Sequence, residues 1–213
     1  MTTTHFSKII KIPIQGKKLE GELVIPYQSS SLVIFSHGSG SSRFSSRNNF
    51  VANELQQQEI STFLFDLLTK EEDQAFVNRF NIELLFRRLI TATNHLMHLP
   101  ECKDFSIGYF GASTGAASAL YAASTLPSQI KAIVSRGGRP DLAIAIAPKV
   151  KAPTLLIVGE RDEEVLMLNQ KTFDVLKCEK ALKIVPKATH LFEEPGTLAI
   201  ASMLATEWFK KYL

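Results

Sequence analysis

Apolar and polar positions follow one another along the chain in a way that predicts strands separated by helices. The first two apolar segments, 6–14 and 19–25, flank a short glycine-containing connection and predict a β-hairpin. A continuous apolar run follows at 32–35, which is typical of a strand buried on both faces of a parallel sheet. The chain is therefore expected to open with an antiparallel pair and then to enter a buried sheet.

From the third strand onward, helical and strand patterns alternate. Helices are expected at 50–58, 82–99, 114–126, 165–176 and 198–212, with a short one near 141–146. Strands are expected at 62–65, 105–110, 132–134, 154–158 and 182–185. This alternation predicts an α/β fold, with helices on both faces of a mostly parallel sheet of eight strands. No shift in composition marks a boundary, so residues 1–213 are interpreted as one domain.

Composition and charge narrow the classes of function. The chain is 45% hydrophobic and 21% charged, the balance of a folded protein rather than a disordered one. Its formal net charge is +3, and basic residues are scattered among acidic ones, which argues against a nucleic-acid partner. No apolar run reaches the roughly 18 residues of a membrane span, and the polar start lacks a signal-peptide core. We therefore expect a cytoplasmic protein without a membrane span.

The cysteines and paired histidines form no metal-ligating pattern. Cys102 and Cys178 lie in different expected elements and form no CxxC pair, which argues against a disulfide framework and a zinc site. His95 and His98 stand three residues apart on an expected helix, but no nearby Glu or Cys completes a zinc set. We expect buried or neutral thiols and no bound metal.

The pentapeptide GASTG at 111–115 lies between an expected strand and an expected helix of small residues. This is the context of the nucleophile elbow of the α/β-hydrolase fold. Side chains two positions before and after the serine would collide with the neighbouring strand and helix, so both places take glycine, here Gly111 and Gly115. We interpret Ser113 as the nucleophile. The alternative is a glycine-rich bend between a strand and a helix with an incidental serine.

A second glycine-rich segment, HGSG at 37–40, follows the third expected strand. In this fold the oxyanion is held by the amide after the nucleophile and by an amide from this loop. Thr114 and Ser39 are therefore the expected oxyanion-hole residues, because the two glycines let the loop turn close to the substrate. His37 is expected to orient the loop.

A serine hydroxyl is a poor nucleophile and needs a base, usually a histidine held by a carboxylate. Of the five histidines, His190 alone follows the last expected strand at its carboxyl end, so we predict it to be the base. Asp162 follows the strand before that one, so we predict that it accepts the imidazole N–H. Its structural alternative is to cap the helix expected from Val165. Asp141, after the preceding strand, is the second candidate for the acid.

The motifs HGSG, GASTG, GERD and ATH resemble the dienelactone-hydrolase-like branch of the α/β hydrolases. The segments SGSSRFSSRNNFVA, LFDLLT, SRGGRPDL and THLFEEPG are similar to serine hydrolases of that branch, some of which occur beside or fused to phosphoribosyltransferase domains. The resemblance implies an acyl-enzyme on serine and no cofactor. Dienelactone hydrolases proper use cysteine at the position of Ser113, so this chain departs from them in its nucleophile.

The expected function is hydrolysis of a small soluble carboxylic ester or thioester. Only a short helix is expected between 134 and 154, where related enzymes insert a helical cap, so we predict no large lid domain. Two other functions use the same residues: a ligand-binding protein with little turnover, and a peptidase or acyltransferase with the same triad. The sequence leaves the oligomeric state open.

Three arginines suggest an acidic group on the substrate. Arg43 lies in the loop after HGSG, and Arg136 and Arg139 lie just beyond a strand's carboxyl end, where α/β folds bind ligands. A guanidinium group pairs well with carboxylate or phosphate, so these residues are candidates for anion contacts. The alternative is that they brace their loops through backbone carbonyls and nearby acids.

Overall fold

A computed structural model describes residues 4–213, and eight of its strands form one sheet. The strands are β1 (Thr4–Ile14), β2 (Lys17–Pro26), β3 (Ser31–Ser36), β4 (Ser61–Phe65), β5 (Ser106–Ala112), β6 (Ile130–Arg136), β7 (Thr154–Gly159) and β8 (Lys180–Val185). The helices are α1 (Ser46–Gln57), α2 (Lys70–Gln74), α3 (Ile82–Met97), α4 (Thr114–Thr125), α5 (Glu163–Val175) and α6 (Thr197–Tyr212). Short 3-10 segments occur at Phe76–Phe80, Pro140–Ala143 and Ala147–Lys149.

The sheet has the order β1-β2-β4-β3-β5-β6-β7-β8. β2 pairs antiparallel with both β1 and β4, and every other pairing is parallel. The predicted eight-stranded, mostly parallel sheet is therefore confirmed. The chain leaves β3 for β4 on one side and returns to β5 on the other, which makes the carboxyl end of β3 a topological switch point, where open α/β sheets bind ligands.

Helices cover both faces of the sheet because its central strands are apolar on both sides. All six residues of β3 are buried, as are all six of β7. One hydrophobic cluster joins the sheet to α3 and α4, and a second joins the opposite face to α1 and α6. The helix α4 consists mainly of small residues and has nine buried positions, so it packs close against the strands that carry the site.

The segment between β4 and α3 holds structure that the apolar pattern did not predict. It contains α2 and the 3-10 segment Phe76–Phe80, both without a buried residue, so no apolar stripe marks them. A local signal was present, because Thr69 and Glu72 form a capping box at the start of α2. The sequence pattern TKEE could have located this helix.

Two predicted helices differ from the observed elements. The helix α1 begins at Ser46, four residues before the predicted start, because the Ser45 side chain caps it from within a polar stretch that was interpreted as loop. The short helix expected near 141–146 is replaced by two 3-10 segments that together link β6 to β7. No large lid is inserted there. Among the described residues, none of the helices combines the length and apolar character needed to cross a bilayer.

Candidate active site

Ser113 stands at a sharp turn between β5 and α4. Its backbone has φ 51° and ψ −125°, a conformation that residues with a side chain rarely adopt. A Cβ on Gly111 would lie 2.6 Å from the Cα of Ala116, and one on Gly115 would lie 2.7 Å from the carbonyl oxygen of His37. The two glycines are thus required by close approach of the backbone, as expected for a nucleophile elbow.

Two segments, the end of β6 with the loop that follows it and the HGSG loop, contact the elbow from either side. The Ser113 N–H donates to the Arg136 carbonyl at 3.4 Å, and the Arg139 N–H donates to the Ser113 carbonyl at 2.9 Å. On the opposite side Gly38 comes so close that a Cβ there would lie 2.9 Å from the Ser113 Cβ. These contacts hold a strained turn in place while Ser113 itself stays partly exposed.

His37 joins the HGSG loop to the chain beyond β4. Its Nδ1–H donates to the Gly38 carbonyl at 2.9 Å, while its Nε2 accepts the Leu67 N–H at 3.1 Å. These two partners define a neutral imidazole with its proton on Nδ1. The ring is buried, and burial lowers the pKa of His37 below its usual value against smaller opposing effects of the Gly38 hydrogen bond and of Asp66.

The expected oxyanion-hole residues contact each other directly. The Ser39 N–H donates to the Thr114 side-chain hydroxyl at 3.0 Å, a contact between loop and elbow that the sequence did not predict. Thr114 is the first residue of α4, so its own N–H belongs to the helix end where amides have no intrahelical acceptor. Two amides and one hydroxyl therefore meet beside Ser113.

His190 and Asp162 are in direct hydrogen-bond contact. The imidazole Nδ1 and the Asp162 Oδ2 are 2.6 Å apart, and the side chains are 38% and 14% exposed respectively. Asp162 also occupies the N-cap position of α5, but its side chain makes no capping hydrogen bond. The carboxylate is thus directed to the histidine rather than to the helix.

Hydrogen bonds join the loop after β7 to the loop after β8, and they hold Asp162 and His190 close together. The Arg161 N–H donates to the Ala188 carbonyl at 2.9 Å, and the Lys187 N–H donates to Glu160 Oε2 at 2.7 Å. Glu194 also supports this loop, although it is not among the residues predicted from the sequence: its Oε2 accepts the Thr189 N–H at 3.1 Å. That hydrogen bond lowers the pKa of Glu194.

The residues at the end of β6 lie close to both Ser113 and His190. A Cβ on Gly137 would lie 2.9 Å from the His190 carbonyl oxygen and 3.7 Å from its Nδ1. Gly137 directly follows Arg136, whose carbonyl accepts the Ser113 N–H. The nucleophile candidate and the base candidate therefore lie on either side of one dipeptide.

The second acid candidate has a different partner. Asp141 accepts two hydrogen bonds from Arg139, Nε to Oδ1 and Nη2 to Oδ2, both at 2.9 Å. It contacts an arginine next to the site rather than the histidine. The bracing alternative for Arg139 therefore describes its observed contacts.

The other two arginines have separate partners. Arg43 donates to Asp66 through both its backbone N–H and its Nη1, and its Nη2 donates to Glu20 at 3.1 Å. Arg136 is only 7% exposed, and burial, with Arg47 nearby, lowers its pKa to about 10. Its Nη2 lies 3.4 Å from the Asn48 Oδ1, while Nε and Nη1 are buried without a hydrogen-bond partner in the described part of the chain.

The thiols take no part in this arrangement. Cys102 is buried, and burial raises its pKa to about 11, whereas Cys178 is partly buried and donates to the Thr154 hydroxyl at 3.7 Å. A thiol with a raised pKa holds little thiolate at neutral pH and is a poor nucleophile. Neither cysteine therefore competes with Ser113 as the candidate nucleophile.

Comparison with known proteins gives a consistent family. The model of the Dienelactone hydrolase family matches residues 44–212. The crystal structure of a dienelactone hydrolase from Anabaena variabilis ATCC 29413 is 48% identical, with a TM-score of 0.94, and the match covers 98% of each chain. Est1E from Butyrivibrio proteoclasticus is 16% identical with a TM-score of 0.82 over 95% of this chain and 98% of Est1E, which shows a shared fold.

A curated relative is much longer than this chain. A protein of Mycobacterium tuberculosis strain H37Rv, whose name assigns it provisionally as a phosphoribosyl transferase, is 51% identical over 193 residues. The match covers 91% of this chain and 44% of that protein. The chain therefore spans less than half the length of this relative.

Proposed function

Because the chain belongs to the dienelactone hydrolase family and is a hydrolase, we propose that it cleaves a small carboxylic ester through an acyl-enzyme on Ser113. The observation that carries the proposal is the 2.6 Å contact between His190 and Asp162 beside a strained serine elbow. A carboxylate at Nδ1 fixes the histidine tautomer that leaves Nε2 free to accept a proton.

The reaction would proceed in two halves. The Ser113 Oγ attacks the ester carbonyl while His190 takes its proton, and Asp162 stabilises the imidazolium that forms. The tetrahedral intermediate collapses when His190 returns the proton to the leaving alcohol, which leaves an acyl-serine. Water then attacks the acyl-serine with the same histidine as base, and the acid product departs. No redox step or external cofactor is needed.

The oxyanion would be held by the Thr114 and Ser39 amides. The Ser39 N–H donates to the Thr114 hydroxyl, so it would exchange that acceptor for the developing oxyanion. The exchange replaces a neutral acceptor by a charged one, which favours the transition state over the free enzyme. His37 supports this loop from behind through its bond to Gly38.

The accessible site supports a small substrate. Only 3-10 segments link β6 to β7, so no large lid encloses an acyl chain in the described residues. A thioester would follow the same steps and belongs to the same proposal. The transferase activity in the relative's name belongs to a protein more than half of which has no counterpart in this chain, so we propose no phosphoribosyl transfer here.

A labelling experiment tests the proposal. A fluorophosphonate probe should react with Ser113 in the intact protein, and the protein should hydrolyse p-nitrophenyl acetate and butyrate. Ser113→Ala should abolish labelling and lower kcat/KM by at least about a thousandfold, with an unchanged circular dichroism spectrum. Ser128→Ala, an exposed serine after α4, is the matched control and should behave as wild type.

The proposal fails if Ser113→Ala keeps more than about a tenth of the activity. Such a loss corresponds to only ~1.4 kcal/mol of barrier, too little for removal of a nucleophile. It fails as well if the wild-type protein is neither labelled nor active on any ester in the series.

A further inference from the structure

Arg139 is fixed next to the nucleophile by its backbone. Its N–H donates to the Ser113 carbonyl at 2.9 Å, three residues after β6 ends. Unlike Arg136, its side chain is not buried, since 35% of it is exposed. A cationic side chain with access to solvent thus starts from a position directly beside the proposed acyl-serine.

The orientation of its guanidinium is fixed by Asp141. Both Nε and Nη2 donate to the carboxylate at 2.9 Å, which occupies one edge of the guanidinium plane. The Nη1 amino group takes part in no hydrogen bond with the residues that the structure describes. Because the group is already held rigid, a ligand that accepts from Nη1 does not have to pay the cost of ordering a long side chain.

The two other arginines at this edge lack such a free group. Arg43 has Nη1 engaged by Asp66 and Nη2 by Glu20. Arg136 keeps its unpartnered Nε and Nη1 away from solvent. Of the three arginines that the sequence singles out, Arg139 has a more exposed side chain than Arg43, 35% against 17%, and unlike Arg43 it keeps an entire Nη amino group unengaged by the described residues.

The charges around Arg139 favour a neutral partner over the acidic group that the sequence suggests. Asp141 compensates the guanidinium charge, and Glu164 at the start of α5 is a second acid whose field reaches it. The hydrogen bonds that Arg139 donates to Asp141, together with the charges of Asp141 and Glu164, keep the pKa of Arg139 raised, so it remains a donor at every working pH. An incoming carboxylate would meet two negative charges and one positive charge, whereas a neutral oxygen meets only the donor.

We propose that Arg139 is a specificity-determining residue that donates a hydrogen bond from Nη1 to a neutral oxygen of the substrate, on its acyl or its alcohol side. The substrate class is thus an ester that also carries a ketone, hydroxyl or ether oxygen and no negative charge. The inference rests on the proposed ester hydrolysis. A hydrogen bond from a charged donor is strong enough to give a preference of about tenfold or more.

Matched esters measure this preference. The acyl side is tested with three p-nitrophenyl esters: the heptanoate, the 6-oxoheptanoate and the hemiadipate. Their acyl chains have the same number of non-hydrogen atoms along the chain and end in an apolar, a neutral polar and an anionic group, respectively. On the alcohol side, glyceryl monobutyrate is compared with propyl butyrate. In at least one series the wild-type protein should favour the neutral polar ester about tenfold in kcat/KM over the apolar one, and hemiadipate should be the poorest acyl substrate.

Three variants assign the preference to the Arg139 donor. Arg139→Met should reduce the ratio of neutral polar to apolar ester from about tenfold to about one. Asp141→Asn should make hemiadipate at least fivefold better relative to heptanoate, because it removes one of the two repelling charges. Arg87→Met is the matched control, since Arg87 is held by Glu83 on α3, away from the site, and it should leave every ratio unchanged.

The results separate this inference from the proposed function. If the wild-type protein hydrolyses the esters but shows no neutral preference in either series, or if Arg139→Met keeps it, the role of Arg139 is overturned and the esterase stands. A wild-type preference for hemiadipate overturns the charge argument. If no ester is hydrolysed and Ser113 is not labelled, both proposals fail.

Discussion

At the scale of single residues, two aspartates that follow strands at the same edge of the sheet are distinguished by what they bind. Asp162 contacts the His190 Nδ1 at 2.6 Å, and Asp141 holds the Arg139 guanidinium through two hydrogen bonds. Each lies after a strand, between the serine and the histidine in sequence, which is where this fold places the acid of the triad. Only the hydrogen-bond partner tells them apart, and it gives each residue a different expected effect on catalysis.

Asp162→Asn should lower kcat/KM for p-nitrophenyl butyrate by about a thousandfold or more, because an amide no longer fixes the histidine tautomer. Asp141→Asn should change it by less than about threefold. Steady-state kinetics of the two variants, with melting temperatures to verify folding, provide the comparison. A larger loss at Asp141 would assign the acid to that residue and leave Asp162 as a helix cap.

Because His37 is buried in the HGSG loop, it should make the stability of the protein depend on pH. The neutral ring accepts the Leu67 N–H at Nε2, and a proton there would remove that acceptor and place a charge in the interior. The pKa of His37 is lowered in the folded protein, while in the unfolded chain it lies near ~6.5. Below that pH the unfolded chain binds a proton at this histidine and the folded protein does not, so the free energy of unfolding falls as the pH falls.

His37→Gln should therefore flatten the pH dependence of stability. In wild type this one group contributes a fall in the free energy of unfolding of up to about 1.4 kcal/mol for each pH unit below ~6.5. Urea titrations at pH 7.5, 6.5 and 5.5 measure the slope in both proteins. Parallel slopes would show that His37 is protonated in the folded state and that our account of its burial is wrong.

At the scale of elements, the end of β6 links the strand of the nucleophile to the loop of the histidine. The Arg136 guanidinium carbon lies 5.9 Å from the ring centre of Phe110 on β5 and 5.7 Å from that of Phe192, two residues after His190. No carboxylate forms an ion pair with Arg136 among the described residues. The aromatic faces are weak compensation for a buried charge, so the burial of Arg136 costs stability.

Arg136→Met should leave the free energy of unfolding unchanged or raise it, because an apolar side chain of similar length replaces an uncompensated buried cation. Urea denaturation at pH 7.5 gives the difference. Arg88→Met is the comparison, since Arg88 pairs with Glu72 at 2.7 Å and is expected to lose stability. A loss above about 2 kcal/mol at Arg136 would indicate a partner that the structure does not account for.

At the scale of the whole molecule, one sheet separates two hydrophobic clusters that depend on the same strands. β3, β4, β5 and β6 contribute residues to both clusters, so neither face can lose its helices without exposing the sheet. The single tryptophan, Trp208, lies on α6, packs against the second cluster and donates to the Pro153 carbonyl at 3.3 Å. Its fluorescence therefore reports on one face alone.

The prediction of a single domain can be tested through that residue. Unfolding followed by Trp208 fluorescence and by far-ultraviolet circular dichroism should give the same midpoint and the same slope in urea, because the shared strands make the two faces unfold together. Two separate midpoints would mean that the face covered by α1 and α6 unfolds separately. That result would contradict the prediction that the chain is one cooperative unit.

Much of the fold could be predicted because its signals are local. Continuous apolar runs identify strands that are buried on both faces, and their alternation with helical periodicity identifies the crossover connections. The GASTG elbow is local too, since the steric demands on Gly111 and Gly115 arise from the turn and from the segments that flank it. Short polar elements such as α2 bury no apolar stripe, so the same reasoning overlooked them.

The sequence by itself thus determined the α/β fold, the serine elbow and the loops that surround it. Only the tertiary structure decided that Asp162 contacts His190 while Asp141 holds Arg139, and that the Ser39 amide is engaged by Thr114. The reason is physical. Period and turn chemistry depend on neighbours along the chain, whereas the partner of a charged or polar side chain depends on which distant segments the folded sheet brings within about 3 Å of it.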